Sequence, residues 1–226
     1  MDLSSFYLDV LKDRMYTFAP TSHERRSAQT VLWRIAETLV RLVAPILSFT
    51  ADEIWEYLPK VEGREASVHL ALFPKPEEVF SGDAKELFEE WNKILQVRDT
   101  ALSYLEEKRQ GKVIGKALEA DVVVHAKGAL FALLRRYETH LKEVFNVSSV
   151  KVTEDFGIQI SKTGEPVLLS SSGDLQCDVR AASGHKCARC WNFMPEVSNY
   201  GLWQNVCTRC QVALKEMKIA PPEAAQ

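Results

Sequence analysis

Apolar residues recur at helical spacing through the first half of the chain and switch to period two later. Phe6, Val10 and Leu11 follow Ser4 and Ser5, either of which can cap a first helix. In Phe18-Ala19-Pro20-Thr21-Ser22, Pro20 disfavours helix at Ala19 and marks a break. Thr21 or Ser22 opens a long helix with Ala28, Val31, Leu32, Ile35, Leu39, Leu42 and Val43 on one face, and Pro45 kinks or ends it. Thr50-Ala51-Asp52-Glu53 has capping-box form and predicts a short helix through Ile54, Trp55 and Leu58 that stops at Pro59. Residues 59–82 carry Pro59, Gly63, Pro74, Pro76 and Gly82 and read as irregular, with room for an extended stretch over 67–72. Asp83 starts a second long helix whose stripe is Leu87, Trp91, Ile94, Leu95, Leu102 and Leu105.

The texture changes near Gly115. Asp121-Val122-Val123-Val124-His125 is β-branched and predicts a strand, 129–141 a helix, and 144–152 and 156–160 further strands. Ser170-Ser171-Ser172-Gly173 reads as a flexible joint and 221–226 as a disordered tail. The expected fold is mainly α with a smaller α+β part. It divides into a helical bundle over 1–118, a small α/β connector over 119–176 and a cysteine-bearing ribbon over 177–226.

Composition narrows the function. The 226 residues are 46% hydrophobic and 26% charged, enough for packed cores in one large or two modest domains. A formal charge of -3 excludes a generally basic coat, but residues 93–142 carry net +4 and 177–226 net +2. These blocks are either solvated helix faces or a polyanion footprint. Lys108, Arg109 and Lys112 also complement the dipole at a helix C-terminus. No apolar run approaches the ~20 residues of a membrane span. Met1-Asp2-Leu3-Ser4 does not open a secretory leader, so a cytoplasmic chain is expected.

The strongest chemistry is Cys187-Ala188-Arg189-Cys190, sixteen residues, then Cys207-Thr208-Arg209-Cys210. Two residues between cysteines let one turn aim both sulfurs at one ion. Two such knuckles supply four thiolates, which suits one tetrahedral structural zinc, with iron as the alternative. A filled shell leaves no place for a catalytic water. The excursion between the pairs is read as a hairpin with Asn199-Tyr200-Gly201 near its tip. Few large apolar residues surround the site, so the metal must supply much of the folding energy of this segment. His185 could replace a thiolate, and Cys177 reads as a buried strand residue. Lys186, Arg189 and Arg209 put charge beside the metal. Trp191 and Trp203 are either stacking surfaces for single-stranded nucleic acid or the ribbon's own core.

No phosphate-binding glycine loop, metalloprotease helix or nucleophile elbow is present, and the five histidines are scattered. The chain reads as a binder without a catalytic site.

Four stretches carry a resemblance. They are the opening Leu3-Ser4-Ser5-Phe6-Tyr7-Leu8-Asp9-Val10-Leu11-Lys12-Asp13-Arg14-Met15-Tyr16, the segment Ala44-Pro45-Ile46-Leu47-Ser48-Phe49-Thr50-Ala51-Asp52-Glu53-Ile54-Trp55, the run Ile114-Gly115-Lys116-Ala117-Leu118-Glu119-Ala120, and the four cysteines with Trp191 directly after the second. In this order they resemble the anticodon-binding helical domain and C-terminal zinc module of bacterial isoleucyl-tRNA synthetases, and they cover nearly the whole chain. The family's ATP-binding signatures are absent. The resemblance therefore implies a C-terminal piece whose catalytic and editing domains, which join isoleucine to its tRNA with ATP, would precede residue 1. It implies that the helices cradle the anticodon stem-loop and that the zinc module closes over it. The candidates for tRNA contact are Lys12, Arg14, Arg25 and Arg26, then Arg98, Lys108, Arg109, Lys112 and Lys116, then Lys186, Arg189, Trp191 and Arg209; Arg98 could instead be a core-edge residue making an internal ion pair. Rival readings are a DNA glycosylase with a zinc ribbon, which would need Pro-Glu after the start, the anticodon part of another class I synthetase, and a free-standing tRNA- or protein-binding module.

Overall fold

The computed structural model describes residues 2–79, 84–155, 158–160, 166–168, 175–197 and 202–221. Packing sorts the chain into two units, one formed by residues 20–86 and one by 1–19 with 87–226.

In the larger unit a π-helical turn Asp2–Tyr7 leads into α1 (Leu8–Val10) and α2 (Lys12–Thr17). In the smaller unit Ser22 caps α3 (His23–Val43), its hydroxyl accepting from the Arg25 N–H at 3.3 Å, and the helix ends just before Pro45. α4 (Ser48–Tyr57) starts earlier than the capping-box pattern suggests. The Ala51 N–H already donates to the Leu47 carbonyl at 2.8 Å, so Thr50 lies inside the first turn. Asp52 instead accepts from the Ser67 hydroxyl at 2.6 Å and the Val68 N–H at 3.2 Å. These bonds wind 68–70 into a 3-10 turn rather than an extended stretch. Val40, Ala44, Ala51, Trp55 and Val68 form the small core, and the Trp55 indole donates to the Glu65 carbonyl at 2.9 Å. Val31, Leu39 and Leu42 stay exposed, so the stripe of α3 is wider than this core. α5 (Pro76–Val79) is a single turn.

α6 (Lys85–Gln110) buries Ile94, Val97, Ala101 and Leu105, three and four residues apart, in the larger core. β1 (Ala120–Ala126), α7 (Gly128–Phe145) and β2 (Ser149–Thr153) form a β-α-β unit with parallel strands. Two short strands follow, β3 (Ile158–Ile160) and β4 (Pro166–Leu168), paired with each other. β5 (Leu175–Ala181) then pairs antiparallel with the other edge of β1, giving the order β2-β1-β5. Residues 144–145 were expected in a strand and belong to α7. Asn146 takes the left-handed conformation at φ 57° and ends that helix, with Val147 N–H closing on the Lys142 carbonyl at 2.9 Å.

The last part of the chain holds β6 (His185–Lys186), β7 (Phe193–Met194) and α8 (Thr208–Glu216). The fold is thus mainly α with a small sheet region and a four-cysteine cluster at its end. Among the described residues no helix is long and apolar enough to cross a membrane. Gly82, Asp83, Phe156, the joint at 170–173, the expected hairpin tip Asn199-Tyr200-Gly201 and the tail 222–226 lie outside the described residues.

Candidate metal centre and nucleic-acid face

The first knuckle is built on a minimal hairpin. β6 and β7 pair His185 with Met194 and Lys186 with Phe193, and the turn between them carries Cys187 and Cys190. Gly184 enters it at φ 90°, where an added Cβ would lie 2.3 Å from the Met194 carbonyl carbon. Cys187 N–H donates to the Asn192 carbonyl and Trp191 N–H to the Cys187 carbonyl, both at 2.9 Å, which closes the turn. Cys207 caps α8 and Cys210 lies in its first turn, so the second pair of sulfurs sits at a helix N-terminus, which favours thiolate. Ala188 N–H bonds the Asn205 carbonyl at 2.8 Å and ties the knuckles together.

The four sulfurs lie within 4.8 Å of one another and all four cysteines are buried. Cys190 and Cys207 Sγ are 3.7 Å apart. That is too long for a disulfide and close to the ~3.8 Å edge of a tetrahedron with metal–sulfur bonds of ~2.3 Å. Cys207 N–H points at Cys187 Sγ at 3.3 Å. The cluster is therefore able to hold a metal ion. Without a cation the thiols cannot all ionise. Hydrogen bonds from Cys190, Cys207 and Cys210 hold Cys187 below the ordinary thiol range, and the same crowding pushes Cys210 above it. A divalent cation removes the conflict but leaves excess negative charge on four thiolates. Arg189, 3.6 Å from Cys210 Sγ, lies where it offsets part of that charge.

Val197, Trp203, Val206 and Leu214 pack around the cysteines. Trp203 is 8% exposed and belongs to this core, whereas Trp191 is 59% exposed. Cys177 lies in β5 opposite Val124, 1% exposed, and burial pushes its thiol up to about 12.

The arginines beside the cysteine cluster face inward. Arg209 makes a two-pronged ion pair with Asp13, at 2.6 and 2.8 Å, donates to the Thr17 hydroxyl at 3.1 Å and lies 4.3 Å above the Phe18 ring. Burial works against its charge, but the bonds to Asp13 more than offset this and hold its pKa raised. Arg189 donates to the Thr17 and Tyr16 carbonyls. The Ser148 hydroxyl, buried, accepts from Phe193 N–H at 2.7 Å and donates to the Leu118 carbonyl at 2.5 Å. Asp13, Thr17 and Ser148 thus position the metal module, and no spacing rule marks them in the sequence. Asp13 precedes its partner by 196 residues.

The remaining candidates divide in the same way. Arg14 pairs with Glu143 at 2.6 Å, and Arg98 donates to the Val144 carbonyl at 3.0 Å beneath the Phe6 ring. Lys12 pairs with Asp9, and Arg109 with Glu106, both on the surface. Arg25 and Arg26 lie in the first turn of α3, with Arg26 exposed. Lys108 is half-buried near the end of α6, and Lys112, Lys116 and Lys186 are exposed.

The family model described as "Anticodon-binding domain of tRNA ligase" matches residues 1–124. An isoleucine–tRNA ligase of Natranaerobius thermophilus is 39% identical over 217 residues, 95% of this chain and 22% of the relative. One of Carboxydothermus hydrogenoformans is 40% identical over 223 residues, 98% and 23%. One of Sulfurihydrogenibium is 38% identical over 226 residues, 100% and 23%. The chain spans a little over a fifth of the length of these relatives.

Proposed function

Because the chain belongs to the anticodon-binding family of tRNA ligases, we propose that it grips the anticodon stem and loop of isoleucine tRNA as part of an isoleucine–tRNA ligase. The carrying observation is similarity to proteins of that name along 95–100% of the chain. Activation of isoleucine with ATP and its transfer to tRNA would fall to catalytic and editing domains beyond these 226 residues, and the whole would work in the cytoplasm.

The metal is zinc in this reading, held by Cys187, Cys190, Cys207 and Cys210. Four thiolates fit its tetrahedral shell and its role is to clamp two knuckles too small to fold alone. Residues 1–118 would cradle the stem-loop, 119–176 connect, and 177–226 close over the loop. Arg26, Lys108, Lys112, Lys116, Lys186 and Trp191 are the side chains with surface to offer. Lys12 and Arg109 can exchange their surface carboxylate partners for phosphate at small cost. Arg25 would approach from the same turn as Arg26. Arg14, Arg189 and Arg209 would act by positioning the elements that carry these groups. Phosphate contacts fix register, while stacking and base-edge hydrogen bonds read the unstacked loop.

Competition binding at two salt concentrations tests this. An isoleucine tRNA transcript is set against the same transcript with a swapped anticodon and against duplex DNA. Preference for the native anticodon is expected. Equal, salt-steep binding to all three would mean that only phosphate is read and would refute the assignment.

A further inference from the structure

We propose that Arg189 and Arg209 link metal binding at the four cysteines to the docking of α2, so that each strengthens the other. The inference rests on the metal-site reading above and adds the residues that carry its effect outside the module.

The two arginines are placed alike. Each stands third in a Cys-x-x-Cys knuckle, directly before Cys190 or Cys210. The turn that aims a knuckle's sulfurs therefore also fixes where its arginine leaves the backbone. Both side chains end on one stretch of α2. Arg209 grips the Asp13 carboxylate at 2.6 and 2.8 Å and the Thr17 hydroxyl at 3.1 Å. Arg189 donates to the Thr17 carbonyl and, at 3.1 Å, to the Tyr16 carbonyl. These carbonyls lie in the last turn of α2, where helix geometry leaves acceptors without a partner inside the helix and favours a positive charge. Thr17, 8% exposed, thus meets one arginine at its hydroxyl and the other at its carbonyl. Two contacts on one buried residue require a fixed spacing between the knuckles, and one ion shared by both knuckles sets that spacing.

Charge acts in the same direction. A divalent ion with four thiolates leaves two negative charges, and two guanidinium groups match them in number. Arg189 Nη1 lies 3.6 Å from Cys210 Sγ. Burial opposes the charge on Arg209, and Asp13, followed by Cys190 and Cys210, supports it. Groups that brace a metal's ligands from outside typically change its affinity ~10–100-fold. Such coupling is reciprocal: whatever holds the arginines against α2 tightens the metal, and the metal tightens α2. α2 keeps a separate hold on α7 through Arg14 and Glu143, 2.6 Å apart, so the metal strengthens its docking rather than creating it. α2 lies within residues 1–124, matched by the anticodon-binding family model, so metal occupancy is felt in the segment assigned to RNA.

Zinc affinity, read by chelator competition on the 226-residue chain, tests the link. Asp13→Asn touches no cysteine, yet should weaken zinc about tenfold. Arg189→Leu should weaken it by a similar or larger factor, and Arg189→Lys, which keeps the charge, by less. In an Arg209→Leu background Asp13→Asn should cost almost nothing, because both changes break one contact. Visible absorption of the cobalt-loaded chain, which reads a four-sulfur shell, checks that each variant still closes its site. Hydrogen exchange over residues 12–17 reads the reverse direction. Stripping zinc should speed it about tenfold in the parent and much less in the Arg189→Leu, Arg209→Leu double variant. Unchanged zinc affinity in Asp13→Asn, or equal acceleration in parent and double variant, would overturn the link and leave the metal site standing. A parent that binds neither zinc nor cobalt would overturn both.

Discussion

The Asp13–Arg209 pair makes the docking of the metal module a quantitative matter. Replacing Asp13 by Asn keeps the shape and removes the charge that faces two guanidinium nitrogens at 2.6 and 2.8 Å. Exposed pairs contribute about 0–1 kcal/mol, and breaking a fully buried pair costs about 3–5 kcal/mol. Both side chains here are 24% exposed, so a cost of about 2 kcal/mol is expected, between the two ranges. That corresponds to roughly a thirtyfold rise in local opening. Arg209→Leu should cost more, because it also removes the bond to Thr17 and the contact with the Phe18 ring. Hydrogen exchange read by mass spectrometry on peptides covering α8, with zinc bound, measures the opening directly. In a double-mutant cycle the two variants should couple by about 2 kcal/mol. Coupling below about 0.5 kcal/mol would refute the reasoning and leave the metal alone holding α8.

Three further outcomes follow from the same geometry. Gly184→Ala should lower the zinc-to-protein ratio, since its Cβ would meet Met194 backbone at 2.3 Å; full zinc content with unchanged melting would contradict this. Ser148→Ala strips the acceptor from Phe193 N–H and should cost about 1–3 kcal/mol, seen as faster exchange in β7; unchanged protection would show that water replaces the hydroxyl. The Cys177 thiol is pushed up to about 12 by burial, so the unfolded chain releases its proton first as pH rises. Its contribution to stability is whole below about pH 9 and should fall by about 1.4 kcal/mol per pH unit above that, towards pH 12. Denaturant melts at rising pH should therefore give a steeper loss for the parent than for Cys177→Ala, and parallel curves would refute the burial argument.

Elements with strong local signals were legible along the chain. The start of α3 at Ser22, its end before Pro45, the period-two strand β1 and the paired cysteines follow from short-range stereochemistry, because a cap, a proline or a two-residue turn acts over a few residues. The boundary near 145 was misread because Val144 and Phe145 have strand-like side chains. What ends α7 is Asn146 turning left-handed, a stop signal that an asparagine carries only weakly.

By itself the sequence determined the paired cysteines able to hold a metal, the helical first half and the family resemblance, all of which are properties of residue type and local spacing. Only the tertiary structure decided which charged side chains are occupied. Arg14, Arg189 and Arg209 resemble their exposed counterparts in sequence, yet each meets a partner brought from more than 120 residues away. It also separated the two tryptophans, burying Trp203 and leaving Trp191 on a cavity wall. The physical reason is range: coordination turns and helix caps are encoded by neighbours, whereas the pairing of a charge and the burial of a ring depend on what the folded chain brings against them.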